Sequence, residues 1–351
     1  MPSGAWADIV DRRVLLTLSG PIYAAGFALW TLWPTYLGFA LGFVLWGLSG
    51  ALMSGTFEAF LYDELVAQDR ESSYARVLGW TNAAEVVASM VGMAAGGPLY
   101  SWGGYPLVGA ASVLVALVHG AVAWSLPRAP QQESADETID GDDSRSGVMR
   151  RYVAMLRAGV SEATRRGPVR HIVLIAAVLM GVTAYDEYFP LLAREQGAAT
   201  ADVPLLMAAV TAGQVVGTAL VGRAERLSKR TLAALVTVAG AAIAAGALAS
   251  HPAGVVAVAV GYGIAHNVTV VSEARLQSVI TGPARATVTS TMGFGAEVFA
   301  IACYGVVAVG GPWWSIGVLL AVMCTPLLGI AGAIRAWWPA PPAATDDDTS
   351  V

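Results

Sequence analysis

Seven ionisable residues sit where so apolar a chain offers them little water: Glu58, Glu85, Asp186, Glu187, Glu273, Arg275 and Glu297. Each lies within or at the edge of an apolar run of about 20 residues, the length that crosses a bilayer. A charge at mid-membrane costs roughly 2.5–3.5 kcal/mol or more, so such groups mark places where a proton or a solute is handled. Removal from water favours the neutral form of a carboxyl and brings its proton exchange toward neutral pH. That chemistry suits coupling of proton movement to movement of another solute. Each residue also has a plainer explanation, a hydrogen bond between helices or a seat at the lipid interface.

Depth distinguishes them. Glu58 stands about seven residues from the inner end of its run, ~10 Å deep at 1.5 Å per residue. Glu85 enters the next run to a similar depth, so the two carboxyls could share a proton or pair with Arg76. Glu297 is deepest, about eleven residues in, or ~16 Å. Asp186 and Glu187 lie in the outer third of their run, just before Pro190, where a kink is expected. Glu273 has Arg275 close by. Among the histidines only His266, beside Asn267, falls at a suggestive place within a run, and simple burial explains it as well.

The elements that hold these groups are helices. Apolar residues make up 56% of the 351 and charged residues only 13%, about half the share of a soluble domain. Ten spans are predicted, near 14–33, 36–57, 79–100, 106–126, 171–192, 203–222, 231–250, 254–280, 287–309 and 313–334. Of the 20 basic residues, only Arg194 falls in a predicted outer loop and only Arg275 inside a span. The rest gather on one side, which is then cytoplasmic, with both termini. The expected location is the cytoplasmic membrane. Trp30, Trp33, Tyr36, Tyr100, Trp102, Tyr105, Trp313 and Trp314 flank the outer turns as interfacial anchors. Glycine pairs four apart (Gly38 and Gly42, Gly92 and Gly96, Gly213 and Gly217) point to close helix packing.

Four parts follow: a transmembrane half at 1–127, a cytoplasmic linker at 128–170, a second transmembrane half at 171–336 and a disordered tail at 337–351. The linker begins acidic. It then places Met149, Tyr152, Val153, Leu156 and Val160 at helical spacing, as an amphipathic interfacial helix would.

Several functions are excluded by what the sequence lacks. It has no metal-ligand spacing and no phosphate-cradling loop; its single lysine is Lys229. No enzyme and no cofactor is expected. Cys303 and Cys324 read as core thiols, and no basic tract interleaved with aromatics suggests nucleic acid. The partners that remain are the bilayer, a small solute and protons.

The two halves nearly repeat. Gly4 to Glu58 spans 54 positions and Gly222 to Glu273 spans 51, each from a Gly-led basic loop to a Glu-Ala pair. Tandem membrane units of this kind are a transporter design. Before Gly222 lie two further apolar runs, and before Gly4 only three residues, so two helices expected from the symmetry are missing.

Gly4, Asp8, Arg12 and Arg13 match the signature loop of the major facilitator superfamily, with Ile9 and Asp11 departing from it. Glu58, Tyr62, Asp63, Tyr74, Arg76 and Gly79 also resemble that family. The resemblance implies an all-α integral membrane fold of two facing bundles, here about ten helices of twelve. It implies that Asp8, Arg12 and Arg13 hold a cytoplasmic gate and that Glu58 and Glu273 stand on cavity-lining helices. Gly92, Gly96, Gly97 and Pro98 loosely resemble the glycine–proline motif of the family's drug–proton antiporters, which favours export. The function expected is secondary active transport of a small organic solute by alternating access, coupled to protons. The alternatives are a non-transporting sensor or assembly protein derived from a transporter, and an intact transporter whose start lies upstream of Met1.

Overall fold

A computed structural model of the chain describes residues 11–53, 56–127, 167–280 and 285–338, and the regular elements among them are all helical. The chain divides into two compact units, Met1–Ile139 and Asp140–Val351. In the first, α1 is Arg12–Leu32, α2 is Tyr36–Met53, α3 is Thr56–Ala67 and α4 is Tyr74–Ser125. In the second, α5 is Gly167–Gly181, α6 is Phe189–Glu195, α7 is Val203–Ala219, α8 is Val221–Ala224 and α9 is Lys229–Ala247. It continues through α10 at Gly254–Val279, α11 at Arg285–Gly310, α12 at Ile316–Met323 and α13 at Thr325–Trp337.

Among the described residues, eight helical runs are long and apolar enough to cross a membrane. The sequence predicts ten, and two places account for the difference. Glu71–Ser125 is one run of 55 residues that contains both predicted spans 79–100 and 106–126. Gly104, at φ 62°, breaks it. That left-handed backbone suits glycine, which has no Cβ to clash. The chain turns back there, because Glu85 before the break and His119 after it line one cavity. The other place is α7, whose 17 residues lie at the short limit for a span, about 17. The amphipathic helix expected at 149–160 and the tail beyond Trp338 lie outside the described residues.

In the first unit, Asp11 caps α1 by accepting a hydrogen bond from the Arg13 backbone N–H at 2.9 Å. α1 runs antiparallel to the second arm of α4. Their backbones nearly touch where Gly20 meets Gly120; a Cβ on Gly20 would stand 2.6 Å from the Gly120 Cα. The first arm of α4 leaves Val87, Met90 and Val91 exposed, as expected of side chains facing lipid.

α10 is the hub of the second unit and packs against α5, α7 and α9. Val255, Val258, Tyr262, Val268 and Leu276 along it are buried. Gly213 and Gly217 on α7 bring their backbones against the carbonyls of Ala259 and Gly263, where a side chain would collide. This is the close packing their spacing predicts. Gly38 and Gly42 instead accommodate Trp33 and Trp30, and Gly92 has nothing within 4 Å of where a Cβ would be. Ser228 and Ser315 cap α9 and α12, each accepting from a backbone N–H at 3.2 Å.

Candidate functional site

In the first unit, α1–α3 and both arms of α4 surround a cavity of about 840 Å³. Tyr23, Trp46, Phe57, Glu58, Asn82 and Glu85 line it. Glu58 and Glu85, far apart in sequence, thus share one space. Neither has a hydrogen bond or ion pair among the described residues, and Arg76, the partner the sequence offered, does not line the cavity. Several neutral polar groups of the wall are tied off. Trp46 Nε1 donates to the Tyr23 hydroxyl at 2.9 Å. Ser49 donates to the Ser19 carbonyl at 3.0 Å, and His119 Nε2 lies 3.0 Å from the Ser19 hydroxyl.

One end of this unit is held by the two arginines that begin α1. Arg12 forms an ion pair with Asp63 on α3, both side chains half-buried, and also reaches the Ala59 carbonyl at 3.4 Å. Arg13 donates to the Trp124 carbonyl, and its guanidinium lies 4.8 Å above the Trp124 ring. Gly4 and Asp8, the other gate candidates, lie outside the described residues.

The second unit gathers three of its four predicted acids. Between α5 and α6 the helix tightens into a 3-10 stretch, Val182–Tyr188, which carries Asp186 and Glu187. A 3-10 segment inside a longer helix commonly marks strain or a hinge. Pro190 has no N–H and so cannot donate to the Asp186 carbonyl one turn back, which is filled instead by the Phe189 N–H. The kink expected at Pro190 is therefore a tightened stretch upstream of it. The Tyr262 hydroxyl of α10 donates to Asp186 Oδ2 at 2.9 Å and lies 3.1 Å from the Thr183 carbonyl. Tyr185 is fully buried and donates to the Met323 carbonyl. Glu297 on α11 joins this group: Asp186, Glu187 and Glu297 all act electrostatically on Tyr304, whose ring is 6.2 Å from that of Tyr188.

Glu273 and Arg275 stand apart from that cluster. Arg275 lies 6.0 Å from the Trp338 ring and lines a small pocket with Glu225 and Arg226. Glu273 is half-buried and has no ion pair or hydrogen bond among the described residues. His266 meets the Thr218 hydroxyl at 3.1 Å, and Asn267 donates to the Gly217 carbonyl at 2.8 Å. Both fasten α10 to α7. Among the described residues no group of His, Cys, Asp and Glu could hold a metal ion.

Sequence reasoning missed Tyr262 and Tyr304. A hydroxyl-bearing aromatic inside an otherwise apolar span was the available signal. It also missed that Asp11, read only as a departure from a motif, serves as a helix cap.

Helical throughout its described residues, with eight runs long and apolar enough to cross a membrane and carboxylates inside several of them, the chain is built as an integral membrane protein. The chain belongs to the Major Facilitator Superfamily, whose model matches residues 1–312. Among solved structures, the nucleoside transporter NupG shares 16% identity, with 97% of this chain covered, 86% of the other and a TM-score of 0.61. A bacterial homologue of the human lysosomal transporter Spinster, inward-facing and unoccupied, shares 16% over 95% of this chain and 81% of its own, at a TM-score of 0.62. These likenesses establish the fold. No curated protein matches the sequence.

Proposed function

We propose that this chain is a secondary active transporter that moves a small organic solute by alternating access, driven by protons and in the direction of export. The observation that carries this reading is the pair Glu58 and Glu85, two carboxylates without a counter-charge in a cavity of about 840 Å³ walled by membrane helices. Uncompensated charge at that depth is costly unless a proton or a ligand neutralises it. We assign solute contact to this cavity.

Proton handling falls to Asp186, Glu187 and Glu297 in the second unit, with Tyr262 tying Asp186, and the 3-10 stretch that carries it, to α10. Glu273 and Arg275 are candidates of a second rank, since neither joins that cluster. Arg12 and Arg13 anchor the gate end through Asp63 and Trp124. Export rests on the glycine–proline run that ends at Pro98. The distribution of Lys and Arg supports cytoplasmic termini, and with them a seat in the cytoplasmic membrane.

The test uses vesicles reconstituted with the purified protein and an entrapped pH dye, challenged with a panel of amines, sugars and nucleosides. The expected result is that at least one class changes the internal pH, and that Glu297→Gln and Asp186→Asn abolish the change. A silent panel, or responses that survive both substitutions, overturns proton coupling through this cluster.

A further inference from the structure

The walls of the first unit's cavity specify more than a volume. They carry two carboxylates, Glu58 from α3 and Glu85 from α4, on different helices. Among the described residues no Lys or Arg lines the space. The unit's described basic residues are engaged or elsewhere: Arg12 binds Asp63, Arg13 stacks on Trp124, and Arg70 and Arg76 lie outside the lining. His119, the one histidine among the described residues of the wall, sits against the Ser19 hydroxyl. The negative charge of the cavity therefore has no answer within its own walls.

The rest of the lining is mostly aromatic and apolar. Trp46, Tyr23 and Phe57 present rings, Met53 and Leu78 are apolar, and Ser49, Thr81 and Asn82 add small neutral polar groups. The hydrogen bond from the Trp46 indole to the Tyr23 hydroxyl fixes both aromatic faces. Carboxylates with aromatic faces attract a cation twice, through charge and through the ring quadrupole. A bare metal ion does not fit the same walls, because it needs several oxygen ligands at 2.3–2.6 Å. Among the described residues no such group of acids exists. The volume, about 840 Å³, lies within the range of sites for drug-sized molecules, about 300–1,000 Å³.

We infer that this cavity takes an organic cation with an apolar, ring-bearing body, its charge held by Glu58 and Glu85. The inference rests on the transport reading above and names the class of its solute.

Binding is measured without any gradient, so that it is independent of transport. Ethidium, permanently charged, is titrated into the purified protein in lipid nanodiscs and followed by its fluorescence, with uncharged phenanthridine as competitor. Saturable binding is expected, weakened about ten- to hundredfold by Glu58→Gln and by Glu85→Gln. Glu71→Gln, an exposed acid outside the cavity, serves as control and leaves affinity unchanged. Phenanthridine should compete poorly. Equal affinity in wild type and both cavity variants overturns the inference, as does equal competition by phenanthridine. If ethidium binds as described but no gradient moves it, the cation site stands and the transport reading fails. If the solute panel drives proton movement while ethidium does not bind, transport stands and the cation site fails. Both cavity glutamates are exposed, so their amides leave the packed core untouched; elution as a single species checks folding before each titration.

Discussion

The Tyr262 hydroxyl donates to Asp186 Oδ2 across 2.9 Å and so joins the middle of α10 to the 3-10 stretch that follows α5. Replacing Tyr262 by Phe removes the donor and leaves the ring against Phe189, whose centroid is 5.2 Å away. The loss should be about 0.5–2 kcal/mol, the worth of a hydrogen bond between membrane helices. Thermal unfolding in detergent measures it. Asp186→Asn keeps an acceptor for the same hydroxyl, so it should cost less stability while abolishing proton-coupled flux. Equal stability loss in the two variants, with flux intact in Asp186→Asn, would assign Asp186 to structure alone.

A second prediction concerns the start of α12. Glu195 accepts from the Ile316 N–H at 2.8 Å through Oε2 and from the Gly317 N–H at 3.2 Å through Oε1. A carboxylate at a helix N-terminus satisfies orphan donors and favours the helix dipole. Glu195→Ala should therefore lower stability by about 1–2 kcal/mol. Glu195→Gln, which retains one acceptor, should lower it less. A melting curve for Glu195→Ala that overlays wild type would refute the cap.

Glycine substitutions should separate by place. Gly217→Ala pushes a methyl group into the Gly263 carbonyl, and overpacking of this kind costs about 1–3 kcal/mol. Gly92→Ala meets nothing within 4 Å. It should be neutral or stabilising by about 0.5–1 kcal/mol, the helix preference for Ala over Gly. Parallel unfolding measurements decide, and a reversed order would contradict the packing of α7 on α10.

The ion pair between Arg12 and Asp63 is open to a double-mutant cycle. Arg12→Gln and Asp63→Asn should each impair flux. The charge swap Arg12→Asp with Asp63→Arg should recover part of it, with coupling of about 0.5–3 kcal/mol between the two positions. Strictly additive effects would mean that the pair does not act as a unit.

The fold was legible in the sequence because lipid imposes a single length rule and charge asymmetry fixes alternation. The spans 79–100 and 106–126 were separable although one continuous helical run contains both; their lengths and the aromatic turn of Tyr100, Trp102 and Tyr105 between them were the signal. The family was legible from Gly4, Asp8, Arg12 and Arg13, which lie close together in the chain. The grouping of Asp186 with Glu297 was not, since more than a hundred residues separate them and no periodicity links one helix to another. Nor was the Arg12–Asp63 pair. The sequence offered Arg76 as a partner for Glu58 and Glu85, and spacing along a chain cannot say that Arg76 lies outside their cavity. Tyr262 was hidden for another reason: an aromatic in an apolar span reads as core, and its hydroxyl acquires a role only when the 3-10 stretch comes within reach.

Adjacent side chains at the end of α6 grip different neighbours. Glu195 holds the start of α12, while Gln196 donates to the Gly246 carbonyl at 2.8 Å, at the end of α9. Three helix tips are thereby riveted into one plate. The seven residues of Val182–Tyr188 are all that separates α5 from α6 and that plate, so the carboxylate of Asp186 stands at the joint between them.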